Sequence, residues 1–403
     1  MKSQRIAIIG AGTAGLASAI LLARQGHHIT LFEQAESLAP VGAGLLLQPA
    51  GLDAMAELGC LEPMKAYGEP VEALYGCTTE GRAIMDVTYR DLGLGDQVTG
   101  LGVHRAALCH VLDQALLAQP HERRFGYEVL SLGSAATGAM VAFRQDDQTR
   151  QERFDGVLVA NGSASTLRPK SLVRYNRQYP WGAMWLIRPL TDGLASFARP
   201  LLQQRYQGAH RMLGMLPTGT VPGNGSQPMV SFFWSLPVAD MAHWREEDFP
   251  LAEWKREVTS LWPELGPLAE SVQTPDELLP ATYRDVVLRQ SGKGRIGVIG
   301  DAAHAMSPQL GQGTNMALLD AVAMAKAISE SRRWEDVWSH FDRERGASIR
   351  FYQRMSWWLT PLFQSRIPGA AALRDLALPA SRKVPWMRRQ MAETVAGGKQ
   401  KWF

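Results

Sequence analysis

Ile6 to Ile9 is an unbroken apolar run of strand length, and Leu16 to Arg24 repeats alanine and leucine in the manner of a buried helix. Gly26 stops that helix, and His28 to Phe32 predicts a second strand closed by Glu33. Val41 to Pro49 is a glycine loop running into a short strand, followed by a helix from Gly51 to Leu58 that Gly59 ends. From about Val71 to Thr99, polar and apolar residues alternate among glycines, which predicts strands and loops of a different region. Helical spacing returns at His104 to Leu117; Phe125 to Leu132, Met140 to Arg144 and Phe154 to Ala160 read as strands. Between Ser171 and Asp285 the pattern changes again. Gly182 to Arg188, His210 to Leu216 and Met229 to Leu236 predict strands of a mixed sheet, and Leu251 to Leu261 a helix. Six of the twelve tryptophans fall there, and core packing accounts for most of them. The strand Gly294 to Ile299 and a helix from Asn315 to Ser329 follow. Beyond Trp334 the chain reads as helices with breaks at Pro361, Pro368, Pro379 and Pro385.

The first strand opens directly into Gly10-Ala11-Gly12-Thr13-Ala14-Gly15. Gly10 permits the tight turn, Gly12 lets backbone approach a pyrophosphate, and Gly15 lets helix and strand pack closely. Phosphates then meet the positive end of the helix dipole. Glu33, about 20 residues on, can accept hydrogen bonds from ribose hydroxyls and would repel a 2'-phosphate, so the nucleotide is FAD or NAD rather than NADP.

Composition narrows the rest. At 403 residues the chain has room for two domains; 20% charged residues, 46% hydrophobic residues and a net charge of +3 describe an ordinary globular protein and give no case for nucleic acid. The N-terminus shows no apolar signal core and no run reaches membrane-spanning length, so a cytoplasmic protein is expected. Cys60, Cys77 and Cys109 lack metal or redox-pair spacing and read as reduced structural thiols. There is no metal-ligand cluster, internal repeat or low-complexity segment.

Gly10 to Gly15, Asn161 to Arg168, and Gly300-Asp301-Ala302-Ala303-His304 with Pro308 and Gly311-Gln312-Gly313-Thr314-Asn315 together resemble the three fingerprints of the class A flavoprotein monooxygenases. This is the para-hydroxybenzoate hydroxylase fold, here similar to its salicylate hydroxylase-like members. Arg105, in Gly102-Val103-His104-Arg105-Ala106-Ala107-Leu108, resembles that family's flavin-contacting arginine. The resemblance implies an α/β fold: a Rossmann-like FAD domain (1–70, 100–170 and 286–333), an inserted mixed-sheet substrate domain (71–99 and 171–285) and a helical segment, 334–403. It also implies FAD held by Gly10, Gly12, Thr13, Ala14, Gly15, Glu33, Gln34, Gly44, Arg105, Val129, Asp301, Gly311, Gly313, Thr314 and Asn315. NADH or NADPH would be a transient reductant, with no second Gly-x-Gly-x-x-Gly unit to house it. The expected chemistry is oxygen transfer from O2 through a flavin C4a-hydroperoxide to an aromatic or polyketide-like small molecule. The same fold also supports halogenases and oxidases, although the Trp-x-Trp-x-Ile pattern of many halogenases is missing.

Independent chemistry supports parts of this. Asp301, at a strand end, can accept from a ribityl hydroxyl or cap a helix, and the helix from Asn315 aims its positive end where a reduced flavin is negative. His304 reads as structural. The second fingerprint has Asn161 where the family has aspartate; asparagine keeps an acceptor and loses the charge, which bears on nicotinamide reactivity and keeps a redox-silent flavoprotein open. No base stands among Arg211, Met212, Leu213, Gly214 and Met215, so an apolar pocket is expected, with Gln48, Trp185, Met215, Phe233 and Pro308 converging on the flavin ring. Gln48 would orient a substrate group or bond its own loop. A monomer or homodimer is expected. The stretch 382–401 carries six basic residues and one acidic, with apolar groups between; a final helix packed on the protein is preferred to a membrane-surface element.

Overall fold

The computed structural model describes residues 1–38, 43–95, 97–245 and 249–400; Val41 and Gly42 of the glycine loop, and Lys401, Trp402 and Phe403, lie outside the described residues. The apolar run at the N-terminus forms the strand Arg5–Ile9, central in a six-stranded sheet. It pairs in parallel with Gly156–Val159 on one side and His28–Glu33 on the other, and Ile296–Val298 and Glu122–Phe125 extend the two flanks. Buried on both faces, Arg5–Ile9, His28–Glu33, Gly156–Val159 and Ile296–Val298 show continuous rather than alternating hydrophobicity, whereas the edge strand Glu122–Phe125 is polar and partly exposed. The helices Thr13–Arg24, Arg105–Leu117 and Gly313–Glu330 supply the core on one face. A three-stranded antiparallel meander, Glu128–Ala135, Gly138–Gln145 and Gln148–Phe154, supplies the other.

A seven-stranded mixed sheet forms the second layer, in the order Leu279–Leu288, Val173–Pro189, Met229–Pro237, Arg211–Gly219, Leu201–Gln207, Ala73–Thr78 and Ala83–Thr88. One face rests on the helix Leu251–Leu261 through Trp234, Trp254, Leu213 and Met215. The opposite face looks toward the six-stranded sheet. Between the two lies a small sheet of Gly44–Leu47, Gly100–His104 and Glu69–Val71.

Several elements differ from the sequence expectation. The strand expected at 125–132 is two strands hinged at Gly126 (φ +77°), and the one at 154–160 is divided at Asp155. The strands Gln148–Phe154 and Leu201–Gln207 went unseen because their polar residues, QTRQERF and LLQQRYQ, hide the strand period. Pro361 and Pro379 do not break helices. They sit in the last turns of Trp334–Phe363 and Ala370–Ser381, where each costs one bond to the carbonyl four residues back but leaves almost no helix beyond it to kink, and Ser365 Oγ donates to Pro361 O at 2.6 Å. Pro368 does lie between helices, and Pro385 starts the helix Pro385–Ala396. Among the described residues, no helix is long and apolar enough to cross a membrane.

Candidate active site

A cleft of about 360 Å³ opens at the carboxyl ends of the parallel strands, where such sheets bind ligands. The chain turns there because it must: a Cβ on Gly15 would fall 1.8 Å from the Gly10 carbonyl oxygen, so helix and strand close to a distance only glycine permits. Gly10 itself has φ +103° and lies against the backbone of Asn161. Around the cleft stand Gly10, Gly12, Thr13, Ala14, Glu33, Gln34, Arg105, Val129, Asn161, Asp301, Gly313 and Thr314. The Glu33 carboxylate is fixed by the Ala11 N–H at 2.8 Å and the Ala35 N–H at 3.0 Å. Arg105 begins its helix, which His104 caps by accepting the Ala106 N–H at 2.9 Å on Nδ1.

A second chamber of about 480 Å³ shares Arg105, Asp301, Gly313 and Thr314 with this cleft and extends to the seven-stranded sheet. Its walls are mostly apolar: Leu74, Met85, Leu202, Met212, Leu216, Phe233 and Met306, with Trp185 tilted against Phe233 at 5.1 Å. Gly44, Gln48, Pro308 and Gly311 complete it on the near side.

Three of the expected site residues line neither cavity. Met215 points to the far face of its strand, into the core with Trp234 and Trp254; Met212 and Leu216 take the chamber side. Gly15 is consumed by the helix–strand contact. Asn315 is fully buried and binds backbone: its Oδ1 accepts the Gln48 N–H at 2.8 Å, and its Nδ2 donates to Leu46 O at 3.2 Å and Gly311 O at 3.1 Å. It joins the third fingerprint to the near wall.

The polar groups of the chamber were mostly missed. Gln48 does not bond its own loop through its side chain; its Oε1 accepts from Tyr89 Oη, leaving Nε2 beside Gly311. Tyr283 reaches the chamber from the strand Leu279–Leu288 and accepts the Trp185 Nε1–H at 3.3 Å. Burial pushes its phenol up to about 12, against smaller downward effects of Trp185 and Arg105. Gln364 donates Nε2 to Ser235 Oγ at 2.7 Å, while its buried Oε1 has no partner among the described residues. Gln309 Nε2 is likewise buried without a partner. Alternation of Leu279, Ala281 and Tyr283 was a readable signal; Gln364, placed just past a helix end, gave none.

His304 is structural, as expected. Its Nε2 lies 2.5 Å from Asp320 Oδ2, which also accepts the Gly300 N–H at 2.9 Å, while Arg345 Nε donates to Asp320 Oδ1 at 3.0 Å. Burial alone would raise the Asp320 carboxyl, but these three partners hold it below the usual range.

The donors fit a flavin dinucleotide: open backbone at a helix N-terminus for phosphates, a fixed carboxylate at the end of the second strand for ribose, Asp301 for the ribityl chain and Arg105 between the two cavities. A Cβ on Gly12 would meet nothing within 4 Å, so that helix end opens directly onto the cleft. The FAD binding domain family model matches residues 3–345. The chain belongs to this FAD-binding family. It is a class A FAD-dependent monooxygenase, an oxidoreductase. A probable 2-heptyl-3-hydroxy-4(1H)-quinolone synthase of Rhodococcus erythropolis is 26% identical over 375 residues, 89% of this chain and 88% of that one. Kynurenine 3-monooxygenase of Stenotrophomonas maltophilia is 29% identical over 371 residues, 88% and 78% of the two chains. The fold matches that of Klebsiella pneumoniae HpxO, solved with FAD and uric acid, at a TM-score of 0.80, 20% identity and 98% coverage of both chains.

Proposed function

We propose that this monooxygenase hydroxylates a neutral, planar, electron-rich aromatic ring held between the flavin and the seven-stranded sheet, in the manner of a 4-quinolone. One observation carries this reading: among the described residues the chamber offers separate hydrogen-bond donors and acceptors on its far side, and its one carboxylate, Asp301, belongs to the wall shared with the flavin cleft. Tyr283 has its oxygen occupied by the Trp185 N–H and its phenol pushed up to about 12, so at neutral pH it keeps its proton and donates it. Gln364 lines the chamber, and its Oε1, buried and unpartnered among the described residues, supplies an acceptor for a ring N–H or hydroxyl once the side chain turns toward the ligand. A ring carrying both groups, such as the one named in the quinolone relative, satisfies both at once. A residue that deprotonates the substrate is not required when the ring is already electron-rich.

FAD, when bound, would relay a hydride from NADH or NADPH to O2. Arg105 and Asp301, facing both cavities, would hold the flavin, and the N-terminus of the helix Gly313–Glu330 would stabilise negative charge on it. Gln48, clamped by Tyr89, orients a polar substrate group through Nε2. Trp185, Phe233 and Pro308 hold the ring and exclude water. The same reading places the enzyme in the cytoplasm as a monomer or homodimer, with the flavin site in 1–70, 100–170 and 286–333. The test is NADH and NADPH consumption by purified flavoprotein with 4-quinolones and, in parallel, with hydroxybenzoates, followed by mass spectrometry after 18O2 incubation. The reading expects stimulation and one labelled oxygen from neutral rings alone. Stimulation by the carboxylates alone would overturn it.

A further inference from the structure

The basic C-terminal region behaves differently on neighbouring helices. The helix Pro385–Ala396 buries Ala392, Val395 and Ala396 beside Tyr89 and Leu92, and its cations are engaged: Arg388 with Asp91, Arg389 with Glu393. Arg382, just before it, pairs with Asp86. The described part of the segment expected to compete for a membrane is therefore packed.

The helix Ala370–Ser381 inverts the usual pattern. Its inner face carries Ala370, Arg374 and Leu378, whereas Ala372, Leu373, Leu376, Ala377 and Ala380 lie on one outward arc. Leu373 and Leu376 are 60% and 74% exposed, and the arc holds no charged side chain. A soluble helix ordinarily shows water its polar face. Large apolar side chains are exposed on both flanks in sequence as well, at Trp357, Ile367 and Val384. The charge around this face leans positive. From Gly346 to Arg389 there are eight arginines or lysines and one acid, Asp375; Asp86, Asp91 and Glu393 from outside that stretch or at its edge answer Arg382, Arg388 and Arg389, and a smaller positive excess remains. Asp375 is already held by Arg374 and Arg82. Arg366 and Lys383 are exposed at the two ends of the helix, Arg366 with Asp240 at 3.9 Å as a loose surface partner.

We propose that this face docks on an anionic lipid surface. The helix lies in the interface plane with Leu373 and Leu376 in the acyl boundary and Arg366 and Lys383 at phosphate level. The surplus of cations favours this occupant over a second copy of the chain, because pairing two such faces would bring two positive surfaces together. The inner side of the same helix gives the docking a purpose. Leu378 packs with Leu362 and Phe363 in a cluster that includes Trp185, Phe233 and Met212, which wall the substrate chamber. One helix thus separates lipid from chamber, within reach of an apolar substrate dissolved in the bilayer. That last clause rests on the proposed function; the docking stands apart from it.

The experiment is co-sedimentation of the FAD-loaded full chain with vesicles of phosphatidylcholine, alone or mixed with phosphatidylglycerol. Wild type is expected to pellet with the anionic vesicles only and to be released by high salt. Leu373→Glu/Leu376→Glu should bind at least about tenfold more weakly, the factor that withdrawing one leucine from apolar contact is worth. Arg366→Glu/Lys383→Glu should bind at least about tenfold more weakly through the lost attraction of two cations to the anionic surface. Leu373→Ser/Leu376→Ser repeats the apolar test without added charge, and circular dichroism with flavin content verifies folding of every variant. Wild type left in the supernatant, or variants that pellet as wild type does, would overturn the proposal. So would a lipid-free dimer that the leucine variants convert to monomer, which would make the face a self-association surface. NAD(P)H oxidation on the same samples reports on the monooxygenase reading separately.

Discussion

Replacing Asp320 with asparagine keeps the shape of a fully buried side chain and removes a charge that three groups share: His304 at 2.5 Å, the Gly300 N–H at 2.9 Å and Arg345 at 3.0 Å. Arg345, itself mostly buried, would be left as an uncompensated cation, which costs about 3–5 kcal/mol. The lost charge-assisted hydrogen bonds, each worth about 1.5–3 kcal/mol, overlap with that figure and are not added to it. Against a typical stability of about 5–15 kcal/mol, the variant should fold but lose a large share of its margin. Urea unfolding of the FAD-loaded protein, followed by far-UV circular dichroism, measures the difference. Because the Gly300 N–H bond sets the turn that presents Asp301 to the cleft, flavin fluorescence should also show weaker FAD retention. The pH dependence has a definite sign. The folded pKa of Asp320 is depressed, so the ionised carboxylate contributes fully above its unfolded value of about 3.9 and loses that contribution as pH falls through the folded value. The gap between wild type and variant should therefore be constant near neutrality and close below about pH 4. A gap under about 1 kcal/mol at pH 7, or one that persists unchanged into acid, refutes the reasoning.

Glu33→Lys should weaken FAD binding by about 1–3 kcal/mol, measured by flavin fluorescence titration, since it removes a charged acceptor that also holds the Ala11 and Ala35 N–H groups. Asn161→Asp should speed flavin reduction by NAD(P)H in stopped flow at unchanged FAD content, by restoring the carboxylate at the cleft. Tyr283→Phe keeps the ring and removes the donor; KM for the aromatic substrate should rise roughly 2- to 10-fold, with flavin reduction of the substrate-free enzyme unaltered.

The flavin sheet was legible because its strands are short, apolar and punctuated by glycines whose spacing reports the turn they make. Glu33 and Asp301 face one cleft for the same reason: Glu33 ends its strand, Asp301 opens the short helix Asp301–His304 just past the strand Ile296–Val298, and parallel strands deliver their carboxyl ends to one edge. Parity on the second sheet was not legible. Arg211–Gly219 runs Met-Leu-Gly-Met-Leu with both faces buried, so alternation carries no contrast and Met215 was assigned to the chamber in place of Met212 and Leu216. Contacts that join distant segments were out of reach altogether. The Tyr89–Gln48 bond spans 41 residues, and the Gln364–Ser235 bond spans 129. Nothing in the local composition at either end announces them.

The shared wall between the two cavities has a consequence for how such a chain can diverge. The flavin side is made largely of backbone, and its residue types are held by collisions: Gly15 tolerates no carbon where Gly10 O stands 1.8 Å away. The far side is made of side chains such as Leu74, Met85, Met212 and Phe233, each hanging from a strand whose pairing does not depend on what it carries. Single substitutions there reshape the space offered to a ring without touching the cofactor cradle. Selection can therefore walk through new substrates on one wall while the other stays fixed, and the history of such a lineage would be written almost entirely in the seven-stranded sheet.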